Sequence, residues 1–329
     1  MTKEAAGAAL LGCLVAWRAT APAPTAIECW EAAEACSQAP EMVHTGLWGS
    51  GPDDVWVVGT STGQRTGTFA HWDGVTWTRS PGAGLPPSWG AWGTGPDDVW
   101  AVADRGTVLH HGRGAWSASR SGTIKDGPLL GVWGSRADDV WAVGAHGLIT
   151  HWDGLTWSSA SGPGAPGGTL VGVWGSGAGD VWAVGKDGRA IRWDGASWIA
   201  WPTGVRHHLF DVWGGGPRDV WAVGAGGTIL HFDGTAWASS LPSSGRSDVV
   251  GDLLGVWGSG AHDVWVVGWG GTILHGDGAA WTAVPSGTSE TLNEVWGTGT
   301  ANVWAVGRAG TILHWDGHRW SALRSAPRE

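Results

Sequence analysis

The sequence predicts an all-β fold, a seven-bladed β-propeller of four-stranded blades, and three observations lead there. A unit of about forty residues is copied seven times, tryptophan marks the same positions in every copy, and each copy divides into four short β-rich runs. The first marker is Trp48, Trp92, Trp133, Trp174, Trp213, Trp257 and Trp296, with steps of 39 to 44 residues. That period belongs to propeller blades and exceeds those of leucine-rich and ankyrin units. A second tryptophan follows eight residues after each first marker, and a third closes each copy.

The fifth copy shows the runs in order. Phe210 to Gly214 is apolar and ends at the turn residues Gly215 to Asp219. Val220 to Gly224 is the second run, Ala225 to Gly227 turns the chain, and Thr228 to Phe232 is the third. Asp233-Gly234 leads to the last run around Trp237. Four runs between Gly, Asp and Pro turns make an antiparallel meander, and radial repetition of such sheets leaves few open edges. The variable link between copies follows the third tryptophan, which suits a crossover from an outer strand to the next blade's inner strand. The links then share one face with the turn between the second and third strands. The opposite face carries the monotonous Gly-Ser-Gly-Pro-Asp-Asp and Asp-Gly turns.

Composition narrows the function classes. The 329 residues include 30 Trp and 59 Gly but 3 Phe and no Tyr, so indole carries the aromatic core. A net charge of −10 offers no basic stripe for phosphate, which argues against DNA and RNA as partners. No apolar run in the repeats approaches the ~20 residues of a membrane-spanning helix. No cofactor or metal motif stands out, since Walker A and H-E-x-x-H are both missing. Gly59-Thr60-Ser61-Thr62-Gly63 matches G-x-S-x-G but sits in a hairpin turn, not a strand-to-helix elbow. The Asp-Gly-x-x-Trp stretch lacks the Ser of the sialidase Asp box, and a Tyr nucleophile is missing. These points argue against an enzyme.

Residues 1–26 read as an export signal, a plain signal peptide or a lipoprotein signal. Ala5 to Trp17 is apolar or small, and Leu10-Leu11-Gly12-Cys13 resembles a lipobox whose Cys13 is lipidated. Residues 27–44 form a short segment carrying Cys29 and Cys36, expected as a disulfide in an oxidising compartment. Residues 45–329 hold the propeller. Export to the cell envelope, lipid-anchored or periplasmic, or secretion follows from this reading.

The unit Leu-x-x-Val-Trp-Gly, Asp-Val-Trp-Ala-Val-Gly, Gly-Thr-Ile-Leu-His-Trp-Asp-Gly and a final Trp resembles exported bacterial Trp-rich propeller repeats, often lipoproteins. Trp315-Asp316 looks like the dipeptide of WD40 repeats, without their upstream Gly-His. The order of the unit is similar to tectonin repeats, and that resemblance implies glycan binding. It covers all seven copies.

Histidine stands after the second marker in six copies, as His71, His110, His151, His231, His275 and His314, with Arg192 in the fourth. Equivalent positions of packed sheets lie about 10 Å apart, too far to share a metal, so these side chains are expected to pin the third strand, with the Asp two positions on as partner. The Asp before each second marker, Asn302 in the last copy, is expected to shape a turn.

Departures from the repeat on the variable face are the binding candidates. Trp269 occupies a turn position where other copies hold Thr60, Asp104, Ala145, Lys186, Ala225 or Arg308, and reads as an exposed indole for ligand stacking. The first copy inserts a loop carrying Arg65. Arg105, His146, Lys186, Asp187, Arg206, His207, His208 and Arg308 complete a polar rim. The sequence thus points to a monomeric, non-catalytic binding propeller whose partner is a glycan or an envelope protein, with a hydrolase or lyase as the remote alternative.

Overall fold

The computed structural model describes residues 42–323 apart from 62, 64–65, 81–83, 122–126, 161–166, 241–250 and 279. Arg65, Cys13, Cys29 and Cys36 lie outside the described residues. Twenty-eight strands form seven four-stranded antiparallel sheets, each from consecutive strands, with no α-helix among the described residues. The seven sheets are residues 42–79, 88–120, 129–159, 170–201, 209–239, 253–283 and 292–322, called blades 1 to 7. The first strand begins at Met42.

First strands pack on first strands around the ring, and blade 1 also meets blade 7 through its first strand. The first strand is therefore innermost, as the long links imply. Second strands such as Asp219–Gly224 are buried on both faces, since each lies between neighbouring sheets, and this explains their unbroken Val-Trp-Ala-Val run. Fourth strands such as Trp237–Ser239 bury the tryptophan and expose the rest, as an outer edge does.

Tryptophan joins the blades in two layers. The first-marker indole of each blade lies over a glycine of the next, so that a Cβ on Gly214 would meet the Trp174 ring at 2.6 Å and one on Gly258 the Trp213 ring at 2.8 Å. Farther out, the third-marker indole meets the second-marker indole of the preceding blade edge to face, as in Trp237–Trp182 at 5.2 Å and 87° or Trp198–Trp141 at 5.3 Å and 85°. The same two contacts close the ring. Trp296 lies over Gly49, and Trp77 meets Trp304 at 5.6 Å and 82°. The Asn293 amide adds a bond to the His44 carbonyl at 2.7 Å. Among the described residues no strand is exchanged between blades 1 and 7, and each sheet is built from its own four consecutive strands.

The conserved-looking polar positions within the copies serve this packing, with two corrections to the sequence reading. Five of the six histidines bond the Asp that precedes the second marker, not the Asp two positions on, as in His71–Asp54, His231–Asp219 and His275–Asp263, each at 2.7 Å. Arg192 replaces histidine with the same bond to Asp180 at 2.6 Å, and Asn302 accepts from His314. The histidine ring also lies against the second marker, as in Trp100–His110 at 4.0 Å. The Asp before the second marker is thus the hub of a network that takes in a Ser or Thr four residues earlier, as in Ser259–Asp263 at 2.5 Å, and an indole N–H, as in Trp265–Asp263 at 3.0 Å. Burial pushes Asp54 upward, but the bonds from His71, Ser50 and Trp56 outweigh it and hold the carboxyl below its ordinary range. The Asp two positions after the histidine caps its own turn, as when Asp73 accepts the N–H groups of Val75 and Thr76 at 3.0 and 2.8 Å.

Candidate functional site

The turn between second and third strands is a single 3-10 turn in blades 2 to 7, and each packs on the first strand of the next blade. The turns are Asp104–Gly106, Ala145–Gly147, Lys186–Gly188, Ala225–Gly227, Trp269–Gly271 and Arg308–Gly310. In blades 3 to 7 the first residue of the turn donates its N–H to the backbone just before its own blade's first strand, as in Arg308 to Thr291 at 2.9 Å and Trp269 to Asp252 at 3.0 Å. Turns and links therefore do share one face. Arg105, His146, Lys186, Asp187, Trp269 and Arg308 all stand in these turns, with His207 and His208 in the link that enters blade 5.

The middle residue of the turn takes left-handed φ, a conformation suited to glycine and found at Gly226 and Gly270. Arg105, His146, Asp187 and Ala309 adopt it at φ of 55°, 57°, 60° and 52°, and all four are exposed, the first three with polar side chains. Non-glycine residues held there cost about 1 to 3 kcal/mol each and gather at functional surfaces. Asp187 and His208 meet directly, the Asp187 N–H donating to His208 Nδ1 at 3.0 Å. His207 Nδ1 lies 3.1 Å from the Thr228 hydroxyl. Arg105, His146, Lys186, Trp269 and Arg308 sit each in its own blade's turn.

Trp269 departs from the expectation of a free indole. It is half-buried, its Cβ lies over Gly251, and its Nε1 is shielded from solvent without a hydrogen-bond partner. Only its backbone is tied into the turn, through Asp252 and Thr272.

Inside the ring of turns, the channel widens into a cavity of about 130 Å³ lined from all seven blades. Its walls come from the link-side ends of the first strands, with Leu130, Val132, Val171, Val173, Phe210 and Leu254 supplying the apolar surface. Trp89 is also in the wall, and its Nε1 donates to Asp104 at 3.3 Å, tying a rim turn to the channel. Burial raises the Asp104 carboxyl, against the opposing effects of that bond and of Arg105.

Two acidic residues in this wall were missed from the sequence. Asp211 and Glu294 occupy the position two residues before the first marker, which is glycine in the other five copies as Gly46, Gly90, Gly131, Gly172 and Gly255. Glycine is needed there because the next blade's backbone fills the Cβ site, Asp211 Cα lying 2.8 Å from it at Gly172 and Glu294 Cα 2.9 Å at Gly255. Asp211 instead spans the gap between blades 5 and 6: its Oδ1 accepts from Val212 N–H at 2.8 Å and its Oδ2 from Val256 N–H at 2.9 Å. Glu294 Oε1 accepts from Val295 N–H at 3.1 Å. Burial pushes Asp211 up to about 7 despite these two backbone donors. Burial, and then the negative charge of Asp211, hold Glu294 well above its usual range. The signal was legible as two acidic residues at a glycine position.

No model of a known protein family matches the sequence, and no curated protein matches it. Solved structures do. YCF48 bound to D1 peptide is similar at a TM-score of 0.66 with 18% identity, over 85% of this chain and 97% of that one. YCF48 from Cyanidioschyzon merolae gives 0.65 and 20%, over 85% and 97%. The WD40 β-propeller domain of Doa1 gives 0.69 with 8% identity, over 88% and 96%. The shared feature is the propeller fold. Among the described residues, no group of three or more His, Cys, Asp and Glu is arranged to hold a metal, and no helix is long and apolar enough to cross a membrane.

Proposed function

We propose that this chain is a non-catalytic binding propeller that seats an extended protein segment across the link-bearing face, with one side chain entering the channel mouth. The observation that carries this reading is the cavity, which is mostly apolar and lined from every blade, on the same face as the exposed turn residues Arg105, His146 and Asp187 of blades 2 to 4. Binding pockets are commonly concave, largely apolar clefts with a few placed polar groups. The likeness to YCF48 in complex with a peptide supports the choice of a protein segment as ligand.

Glycan binding, which the tectonin resemblance suggested, has less support from the geometry. No tryptophan among the described residues is exposed, and the large exposed apolar side chains are Val75, Leu155 and Ile199. A glycan face uses open aromatic planes, whereas these indoles are spent between blades. Selection of peptides from a displayed library, run beside a glycan array, separates the two readings. Enrichment of related peptides with no array signal supports the segment reading, and array binding without peptide enrichment overturns it. Export remains part of the proposal, with Cys13 lipidated or the signal cleaved and Cys29 joined to Cys36. Fractionation of cells expressing the full chain, with Cys13→Ala alongside, tests it.

A further inference from the structure

We propose that the Asp211–Glu294 pair in the channel mouth is a receptor for a primary ammonium group. The pair sits in the wall of the cavity on blades 5 and 7, flanking blade 6, where the equivalent residue is Gly255. No Lys or Arg lines this cavity, so the described wall supplies no cation to balance two carboxyls.

The acceptors outnumber the donors. Asp211 is held by Val212 and Val256 and Glu294 Oε1 by Val295, which fixes both carboxyls in place without neutralising them. Asn293 lines the same cavity, is 8% exposed, gives its amide N–H to the His44 carbonyl and leaves its buried Oδ1 without a hydrogen bond. Two carboxyls in the wall of one cavity, with an unfilled amide acceptor on the residue preceding Glu294, call for a compact, multi-donor cation. An ammonium has three donors and no acceptor. A calcium ion wants six to eight oxygens, more than the carboxyls of Asp211 and Glu294 supply together, and a guanidinium wants a bidentate carboxylate whose oxygens are not already engaged. Phe210 and Leu254 give apolar surface for the methylenes behind the ammonium. Burial raises both carboxyls above their ordinary range, so binding the cation releases a proton and strengthens as pH rises. Asp211 and Glu294 are the titratable groups of the cavity wall; Asp104 and His44 are bonded to the wall residues Trp89 and Asn293, and His208 and Asp252 stand two residues before the wall residues Phe210 and Leu254.

The source of the ammonium is a lysine side chain of a bound segment or a free small amine, and only the first rests on the segment-binding reading. Calorimetry on the intact protein with n-butylammonium at pH 8 tests the site, with n-butanol and Ca²⁺ as controls and a lysine-containing pentapeptide beside its norleucine counterpart. The expected result is one-to-one binding of butylammonium, weakened at least tenfold at pH 5.5 and at least tenfold by Asp211→Asn or Glu294→Gln. The wild-type pH profile and the proton release measured in buffers of different ionisation enthalpy keep the test valid should either variant fold poorly. Butylammonium binding no tighter than butanol, binding indifferent to both carboxyls, or preference for Ca²⁺ would overturn the proposal. Butylammonium binding without any peptide selected leaves the site standing with a free amine as its source. Peptides selected without lysine, together with no amine binding, leave segment binding standing and remove this site.

Discussion

Replacing Trp265 by alanine removes the centre of the contact between blades 6 and 7. The side chain is 1% exposed, meets Trp320 edge to face at 5.4 Å and Trp315 at 5.0 Å, and stacks on His275 at 4.3 Å. An indole buries about 150 to 250 Å², which at about 25 cal/mol per Å² is about 4 to 6 kcal/mol. Partial collapse of the surroundings brings the expected loss to about 3 to 5 kcal/mol. Asp263 keeps Ser259 and His275 after losing the indole N–H, so the hydrogen-bond contribution is the smaller part. Thermal and urea unfolding followed by circular dichroism should show Trp265→Ala lower by roughly 10 °C in Tm, at about 2 to 4 °C per kcal/mol. Trp269→Ala, from a half-buried turn position, should change stability by less than about 1 kcal/mol while weakening ligand binding by about 1 to 3 kcal/mol. Equal destabilisation by the two substitutions would refute the division between packing and binding tryptophans.

Three further outcomes are expected. Asp219→Ala should cost about 2 to 3 kcal/mol in urea unfolding, since it strands His231 and the Trp221 N–H in a blade where Gly215 supplies no hydroxyl, while Asp219→Asn should cost under about 1 kcal/mol because Asn302 performs the same task. Arg105→Gly, His146→Gly and Asp187→Gly should each raise stability by about 1 kcal/mol by relieving left-handed φ, yet weaken binding to the selected peptide; a fall in stability would show that these side chains hold the turn. The folded pKa of Asp211 lies above the unfolded value, so the native state holds an extra proton between about pH 4 and pH 7. Its stabilising contribution is complete below about pH 4 and lost as pH rises through about 7, at most about 4 kcal/mol. Asp211→Asn should flatten that slope, and an unchanged pH profile of unfolding would contradict it.

The architecture was legible because a blade is a local meander whose turns and apolar runs recur seven times. The inner position of the first strand followed from link length alone. What the sequence concealed was partnership across strands. His231 is two residues from Asp233 but twelve from Asp219, and antiparallel pairing of the second and third strands brings the distant one to its ring. The near one turns away to cap the Asp-Gly hairpin, where it accepts the Thr235 and Ala236 N–H groups. The rim residues were legible as departures from the repeat, and the turn geometry adds that Arg105, His146 and Asp187 hold polar side chains at a left-handed position where blades 5 and 6 use Gly226 and Gly270. Asp211 and Glu294 were passed over because attention went to the variable turns, although an acidic residue at a glycine position is the same kind of departure. The half-burial of Trp269 depends on the link segment at Gly251, which no pattern within the turn specifies.

Hydrogen exchange of the protein with and without a peptide selected from the displayed library tests the central claim most directly. Segment binding over the channel mouth predicts slowed exchange in the rim turns 104–107, 145–148 and 186–189 and at the link-side ends of the first strands, with the opposite Asp-Gly turns such as 73–76 and 233–236 unchanged. Protection confined to those opposite turns, or to the outer strands, would contradict the account.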